Sequence, residues 1–316
     1  MAALLLLELA IRCFYVRLIL RQFEAQPPFN VALHEADPTA ELVTTKTSDG
    51  LTLRGSLHRG VDHHPRGLVL FCPEVGGSHW SAAWYCEGLL HAGFDALSFD
   101  FRGQGESDAC PGYTPTHWPT RHELNDVEAA LQFIESRPDL KSLPLVLMGI
   151  SRGSLVALHS AARFPQVRAV CGEGTYTINS LLEHFVVRWA QLYLPRWALR
   201  IIPMWHMRLT LRSVLWVSAW RRSVHYAVVE PWLRQLCNRP VLLISGERDN
   251  YVPPSIIRGI AKKIASPLCR IWSVPKAKHN QARDVAQADY DQTLEEFFGA
   301  VCPQPAASTP QVAAVV

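Results

Sequence analysis

Short apolar runs alternate with amphipathic, helix-like segments along most of the chain. Near the start, two β-like runs flank "SDG" at 48–50, which predicts an antiparallel hairpin. Later apolar runs carry no polar alternation: "GLVLFC", "FDALSF", "PLVLMG", "VRAVCGEG", "PVLLISGERD" and "CRIWSV". Unbroken apolar strands separated by helices are typical of a mostly parallel sheet that is covered by helices on both faces. The pattern therefore predicts the α/β class.

The alternation is interrupted once, where a long helical and aromatic stretch contains no strand-like run. We interpret this stretch, 175–232, as a helical cap inserted into an α/β core. The core is then formed by 40–174 and 233–301. The Ala- and Pro-rich end, 303–316, is predicted to be a disordered tail.

Residues 1–25 are predicted to form an apolar N-terminal helix. Four charged residues interrupt its apolar run, Glu8, Arg12, Arg17 and Arg21. A membrane-spanning helix needs about 20 mostly apolar residues in a row, and a signal peptide needs positive charge before its apolar run. Two interpretations stay open: a helix packed on the domain, or one that lies on a membrane surface.

Composition narrows the functional classes. The chain has 316 residues, of which 48% are hydrophobic, enough for one large core. A net charge of +3, without a basic run, argues against nucleic acid as a partner. The eight cysteines are scattered and form no C-x-x-C pair or His/Cys cluster, so we expect free thiols in a cytoplasmic protein and neither a metal site nor a cofactor.

The segment "LVLMGISRGSL" at 145–155 contains the first candidate for chemistry. Gly149, Ser151 and Gly153 form a G-x-S-x-G pattern between a predicted strand and a predicted helix. A serine on such a sharp turn projects its hydroxyl above the carboxyl end of the sheet. A serine hydroxyl is a weak nucleophile, however, and it needs a histidine base that is oriented by a carboxylate.

The partners of Ser151 are predicted from the ends of two later strands. Asp249 follows a buried strand in "LLISGERDNYVP", and His279 follows the next strand in "IWSVPKAKHNQA". Both should lie at the carboxyl edge of the sheet, and the chain order serine, acid, histidine suits this architecture. Glu247, two residues before Asp249, is the alternative acid and would face differently.

Backbone donors for a developing oxyanion are expected from two places. One is the N–H of Arg152, at the start of the helix after Ser151. The other is the N–H of Val75 in the loop "FCPEVGGS", where Gly76 and Gly77 allow a close approach. Glu74 in the same loop either touches the substrate or braces the loop.

Five segments in this order resemble the α/β-hydrolase superfamily: "PEVGGS", "DFRGQGES", "GISRGS", "SGERDNYVP" and "KHNQA". The resemblance covers 42–301 and points to a serine hydrolase with a helical cap, the group that holds esterases, lipases, thioesterases and serine aminopeptidases. It implies hydrolysis of a carboxylic ester or thioester through an acyl-serine intermediate, and the apolar cap would cover an apolar acyl group. An acyltransferase or a serine peptidase would use the same triad. One departure is Pro73-Glu74, where many members have His-Gly.

The predicted cap has an unusual composition. Between 176 and 235 the chain has eight arginines, no lysine and two acids, together with six of the ten tryptophans: Trp189, Trp197, Trp205, Trp216, Trp220 and Trp232. Such a stretch suits an anionic interface or an anionic, acyl-bearing substrate. Alternatively, the tryptophans pack the cap onto the sheet and the arginines are solvated. The scarcity of carboxylates counts against a pocket for a free amino terminus.

Two partner hypotheses follow. The first is a small-molecule or lipid ester as substrate, with peripheral membrane contact through 1–22 and the basic, Trp-rich cap. The second belongs to another class, a membrane-associated binding protein without catalysis. An intact triad argues against the second, since binding alone requires none of its three residues.

Overall fold

The computed structural model of the protein describes residues 2–25, 31, 33–61, 64–193, 195, 197 and 203–303, and one eight-stranded sheet organises them. The sheet order is β1-β2-β4-β3-β5-β6-β7-β8, and β2 runs antiparallel to both of its neighbours while the other pairs are parallel. The strands are β1 (Glu41–Lys46), β2 (Thr52–His58), β3 (Leu68–Cys72), β4 (Asp95–Phe99), β5 (Leu145–Ile150), β6 (Val167–Glu173), β7 (Val241–Gly246) and β8 (Cys269–Val274).

The helices follow the predicted alternation, with one division. The segment between β3 and β4 contains two short helices that meet at Cys86. The helices are α1 (Ala2–Phe23), α2 (Ser81–Tyr85), α3 (Glu87–His91), α4 (Arg121–Ser136), α5 (Arg152–Arg163), α6 (Ile178–Tyr193), α7 (Met204–Arg222), the 3-10 helix η1 (Leu233–Leu236), α8 (Pro254–Ile264), α9 (Ala282–Val285) and α10 (Gln287–Gly299).

Both faces of the sheet are buried, which explains its unbroken apolar strands. Successive side chains of a strand point to opposite faces. In β3, Leu68 and Leu70 join a hydrophobic cluster with α4, α5 and α8, whereas Val69 and Phe71 join a second cluster with α2, α3 and α10. The predicted mostly parallel sheet with helices on both faces is therefore confirmed.

The predicted hairpin joins β1 to β2. The pairing Lys46↔Thr52 closes it, and the N–H of Thr47 donates to the carbonyl of Leu51. Gly50 takes φ +88°, in the left-handed region that glycine adopts at little cost. The hairpin prediction from "SDG" is confirmed.

The predicted cap, 175–232, contains α6 and α7 among its described residues. Helix α6 buries Ile178, Leu181 and Phe185 against the larger cluster. Helix α7 begins after Pro203, which occupies its N-cap position. Arg196 and Arg200 of the predicted basic stretch lie outside the described residues, as does the predicted tail from 304 onward. The division into core and cap stays a prediction.

Helix α1 docks on the protein along one stripe. Val16, Leu20 and Phe23 are buried, at the i, i+4, i+7 spacing of one helix face. The ring of Phe23 stacks on Trp118 with centroids 4.7 Å apart, and Trp118 Nε1 donates to the Phe23 carbonyl at 2.7 Å. None of the described helices combines the length and the apolar character needed to cross a membrane.

Candidate active site

The turn around Ser151 is built by close backbone contacts. Ser151 lies between β5 and α5 with φ +50°, a conformation that costs a non-glycine residue energy. A Cβ at Gly149 would lie 2.4 Å from the carbonyl oxygen of Gly153, and a Cβ at Gly153 would lie 2.0 Å from that of Cys72. Both glycines are therefore needed to fold the turn, which lifts Ser151 above the carboxyl end of the sheet as the sequence predicts.

The structure brings the three predicted polar residues into one hydrogen-bonded chain. Ser151 Oγ lies 2.9 Å from His279 Nε2, and His279 Nδ1 lies 2.7 Å from Asp249 Oδ2. The residues come from the ends of β5, β7 and β8, separated in sequence by 128 and 30 positions. A nucleophile, a base and an orienting acid at these distances have the geometry of acyl-transfer chemistry.

Asp249 is held more firmly than its alternative. Its Oδ1 accepts hydrogen bonds from the backbone N–H groups of Tyr251 and Val252 at 2.8 and 2.7 Å, and the residue is 3% exposed. Glu247 is exposed to solvent. The geometry thus favours Asp249 over Glu247 as the partner of His279. On the other side, Gly174 lets the chain pass close to the imidazole, because a Cβ there would lie 2.9 Å from His279 Cε1.

The loop with Val75 begins beside the Ser151 turn. Cys72, the last residue of β3, pairs in register with Gly149, and the loop leaves the sheet directly after it. Arg152 is the first residue of α5, so its N–H has no acceptor within the helix. Among the described residues, the N–H groups of Val75 and Arg152 have no hydrogen-bond partner.

A polar link that the sequence analysis missed ties this loop to α5. The buried guanidinium of Arg152 donates to the Oε1 atoms of Glu123 and Gln104, and Gln104 Nε2 donates to the Glu74 carbonyl at 3.2 Å. The pattern Thr120-x-x-Glu123 forms a capping box at the start of α4 and was the available signal for Glu123. No local pattern singles out Gln104. These hydrogen bonds fix the position of the Val75 loop relative to the Arg152 N–H.

Two buried carboxyls flank the site. Burial raises the pKa of both Glu74 and Glu173 to about 7. Glu173 is bound by the Ala282 N–H and the Tyr290 hydroxyl, each at 3.0 Å. Glu74 lies over its own loop, since a Cβ at Gly77 would be 2.7 Å from Glu74 Cδ, and its Oε2 has no partner among the described residues. This position favours bracing of the loop over direct contact with the substrate.

Aromatic rings connect the triad to α6. The ring of Tyr251 lies 4.9 Å from that of His279 and 5.1 Å from that of Phe185. Phe185 in turn stacks on Trp189 at 5.5 Å. His117 is buried next to Tyr251, and burial lowers its pKa to about 3, so its imidazole is neutral. The sequence analysis did not identify His117 or Tyr251, because their position depends on two loops that meet only in the fold.

A family model described as serine aminopeptidase, S33, matches residues 63–237, more than half of the chain. The chain belongs to this family of α/β hydrolases. The match ends before Asp249 and His279, whose assignment therefore depends on the sequence pattern and on the distances above. The resemblance inferred from five segments is confirmed at the level of the superfamily and the fold.

Curated relatives cover part of the chain. A polyketide transferase of Penicillium crustosum is 30% identical over 140 residues, which are 43% of this chain and 44% of that protein. The α/β hydrolase domain-containing protein WAV2 of Arabidopsis thaliana is 25% identical over 188 residues, 58% of this chain and 54% of that protein. The chain thus spans about half the length of these two relatives.

Solved structures confirm the fold. The Pyrococcus furiosus esterase Pf2001 superposes with a TM-score of 0.63 at 19% sequence identity, and the alignment covers 88% of this chain and all of the esterase. At this identity the likeness establishes the α/β-hydrolase architecture alone.

Proposed function

We propose that this α/β hydrolase cleaves a carboxylic ester or thioester with an apolar acyl group, through an acyl-serine intermediate. The observation that carries the proposal is the chain Ser151–His279–Asp249, with hydrogen-bonding distances of 2.9 and 2.7 Å. A buried carboxylate bound by two backbone amides is suited to fix the tautomer of His279 and to stabilise its protonated form.

In the first half of the reaction, Ser151 Oγ attacks the carbonyl carbon while His279 Nε2 takes the hydroxyl proton. The carbonyl oxygen becomes an oxyanion, which the N–H groups of Val75 and Arg152 would bind. The intermediate then collapses, and His279 donates its proton to the departing alcohol or thiol. In the second half, water attacks the acyl-serine while His279 takes a proton from it. The intermediate collapses, the acid is released, and His279 returns the proton to Ser151 Oγ.

The apolar acyl group is inferred from the rings beside His279. Tyr251 and Phe185 extend from the triad toward Trp189 on α6. Pockets for apolar ligands are lined largely by aromatic and aliphatic side chains, with few polar groups. Neutral His117, buried beside Tyr251, adds a polar group that could bond the substrate.

Acyl transfer to an alcohol is the second candidate, because the same residues serve it and the Penicillium crustosum relative is described as a polyketide transferase. Aminopeptidase activity is less well supported. The stretch 176–235 contains two acids. Glu183 accepts from Arg208 and Glu230 Oε1 accepts from Asn179, each at 2.9 Å, while Glu230 Oε2 has no partner among the described residues. Only Glu230 keeps an oxygen for a substrate ammonium group, so carboxylates that could bind a free amino terminus are scarce among the described residues of this stretch.

The proposal is tested with p-nitrophenyl esters from acetate to palmitate, comparing the wild type with Ser151→Ala. We expect kcat/KM to fall by about 10⁴-fold or more in the variant, with an unchanged melting curve. Turnover by Ser151→Ala near the wild-type level would refute the mechanism. A wild type that is folded but inactive on every ester, and unlabelled by a serine-reactive phosphonate, would favour the binding protein without catalysis. An added alcohol that is converted to its ester would indicate the transferase.

A further inference from the structure

Helix α7 exposes a straight stripe of large apolar side chains. Trp205, Leu209, Trp216 and Trp220 fall within an arc of about 60° at 100° per residue. Their exposed fractions are 66%, 42%, 71% and 74%. Of the six tryptophans between 176 and 235, Trp189 packs against the core and the other five are exposed. Packing of the cap therefore does not account for this stripe, and the alternative that the tryptophans pack onto the sheet does not hold for Trp205, Trp216 and Trp220.

Helix α1 is apolar on two opposite faces. One face carries the buried stripe that ends at Phe23. Opposite to it, Ile11, Phe14, Tyr15 and Leu18 fall within an arc of about 100° and are 40%, 60%, 39% and 42% exposed. A helix that is apolar all round is normally buried all round. The described protein covers only one face, so the second face is suited to a different apolar environment.

One ring from each exposed stripe, Phe14 of α1 and Trp216 of α7, lines the same opening. The helices run side by side, with Glu8 3.2 Å from His206 near one end and Glu24 Oε1 2.8 Å from Ser218 Oγ near the other. Between them lies an open groove of about 700 Å³, whose walls include Phe14 and Arg17 of α1 and Trp216 of α7. We call the exposed stripes of α1 and α7, with the groove between them, the α1–α7 surface.

The α1–α7 surface is strongly basic. The two helices contain seven arginines and one glutamate, a net charge of +6, whereas the whole chain carries +3. The rest of the chain therefore carries −3. Glu8 is bound to Arg12 and His206, which cancels its charge locally. Arg17 and Arg212 are exposed and form no ion pair with the described residues. Two of the α7 arginines pair with carboxylates outside the two helices, so the unbalanced positive charge of the surface is carried by the unpaired arginines.

We propose that the α1–α7 surface docks on a membrane that contains anionic lipids. Tryptophan rings prefer the headgroup region, where an apolar body and a polar N–H are both satisfied. Arginines near an anionic leaflet each add about tenfold or less to the partition coefficient. A second copy of the chain is disfavoured as the occupant, because it would bring two surfaces of like charge together. The inference does not depend on the proposed ester hydrolysis.

The test is sedimentation of the full-length protein with sucrose-loaded vesicles of phosphatidylcholine alone or mixed with phosphatidylglycerol. We expect binding to the mixed vesicles, weakened by added salt. Trp216→Ala/Trp220→Ala and Arg17→Gln/Arg212→Gln should each lower the partition coefficient by about tenfold or more.

Two control variants make equivalent changes elsewhere. Leu268→Ala/Ile271→Ala removes two exposed apolar side chains at β8, and Arg258→Gln/Arg270→Gln removes two exposed charges on α8 and β8. Both should bind like the wild type.

Three results would overturn the proposal. One is a folded wild type that does not bind the mixed vesicles. Another is equal binding by the wild type and both α1–α7 variants. The third is a dimer in sedimentation velocity that Trp216→Ala/Trp220→Ala dissociates, which would assign the surface to a second copy. The assay measures binding and no enzymatic activity, so its results can be interpreted even if the proposed hydrolysis is wrong.

Discussion

The candidate active site and the α1–α7 surface differ in which side chains they bury and which they expose to solvent. At the site, the polar side chains of the triad are paired with one another: Asp249 is 3% exposed and both of its oxygens accept hydrogen bonds. On the surface, apolar rings face solvent, as Trp220 does with 74% exposure, and the cations Arg17 and Arg212 lack ion-pair partners among the described residues. The triad finds its hydrogen-bond partners within the chain. The exposed rings and unpaired cations of the α1–α7 surface are instead suited to contact a partner outside the chain.

Because of this difference, the two regions should respond differently to substitutions. The site depends on backbone contacts such as that of Gly153 with Cys72, so displacements of an ångström should matter. The α1–α7 surface depends on which residue types share a helix face, and many arrangements would serve. Substitutions at the site should therefore lower turnover. Substitutions on the α1–α7 surface should weaken membrane binding and leave turnover and stability nearly unchanged.

The largest expected effect comes from Asp249→Asn compared with Glu247→Gln. An amide at position 249 would donate to His279 Nδ1 and hold the imidazole in the tautomer that cannot accept the serine proton. We expect kcat on a p-nitrophenyl ester to fall by about 10⁴-fold in Asp249→Asn. Glu247 is exposed, so Glu247→Gln should retain wild-type kcat.

Similar losses in Asp249→Asn and Glu247→Gln would contradict this assignment of the acid. Circular dichroism of both variants serves as the check on folding. Wild-type turnover in Asp249→Asn would show that the mechanism does not need this carboxylate to orient His279.

Glu74→Gln has an intermediate expected effect, and the effect depends on pH. The pKa of Glu74 is about 7 in the folded protein, against 4.5 ordinarily, because the carboxyl is buried. The folded state thus holds its proton more tightly, and wild-type stability should fall as pH rises from about 4.5 through 7. The glutamine cannot ionise, so Glu74→Gln should be more stable than the wild type at pH 8, on the order of 1–3 kcal/mol.

Urea unfolding of Glu74→Gln at pH 5 and pH 8 measures this difference. The advantage of the variant should shrink at pH 5, where the folded wild type is protonated. Glu135→Gln, an exposed change on α4, should show little difference from the wild type at either pH. If the advantage of Glu74→Gln over the wild type were no larger at pH 8 than at pH 5, this carboxyl would not be held neutral by burial.

How much the sequence could predict also differs between the two regions. The sheet, the hairpin and the positions of Ser151, Asp249 and His279 were predictable, because each depends on a local pattern at the end of an apolar strand. Gln104 and His117 were not, because their contacts join loops that are distant in the chain.

For α1, the sequence left two interpretations open, packing on the domain or contact with a membrane. Its apolar residues are distributed around the whole helix, so the pattern identifies no single buried face. Only tertiary packing shows that Val16, Leu20 and Phe23 point inward while Phe14 and Leu18 do not. The composition of the cap indicated a surface role, but the packing of its tryptophans required the structure.

The smallest expected effect belongs to Trp220→Phe, compared with Trp118→Phe. Trp118 is fully buried, and its Nε1 donates to the Phe23 carbonyl at 2.7 Å, so its loss should lower the free energy of unfolding by roughly 1–3 kcal/mol. Trp220 is 74% exposed, and its replacement should change that free energy by less than about 0.5 kcal/mol. Urea unfolding in the absence of lipid measures both. If Trp220→Phe cost as much as Trp118→Phe, the ring would be packed in solution, and the α1–α7 surface would be part of the fold and not a face reserved for a membrane.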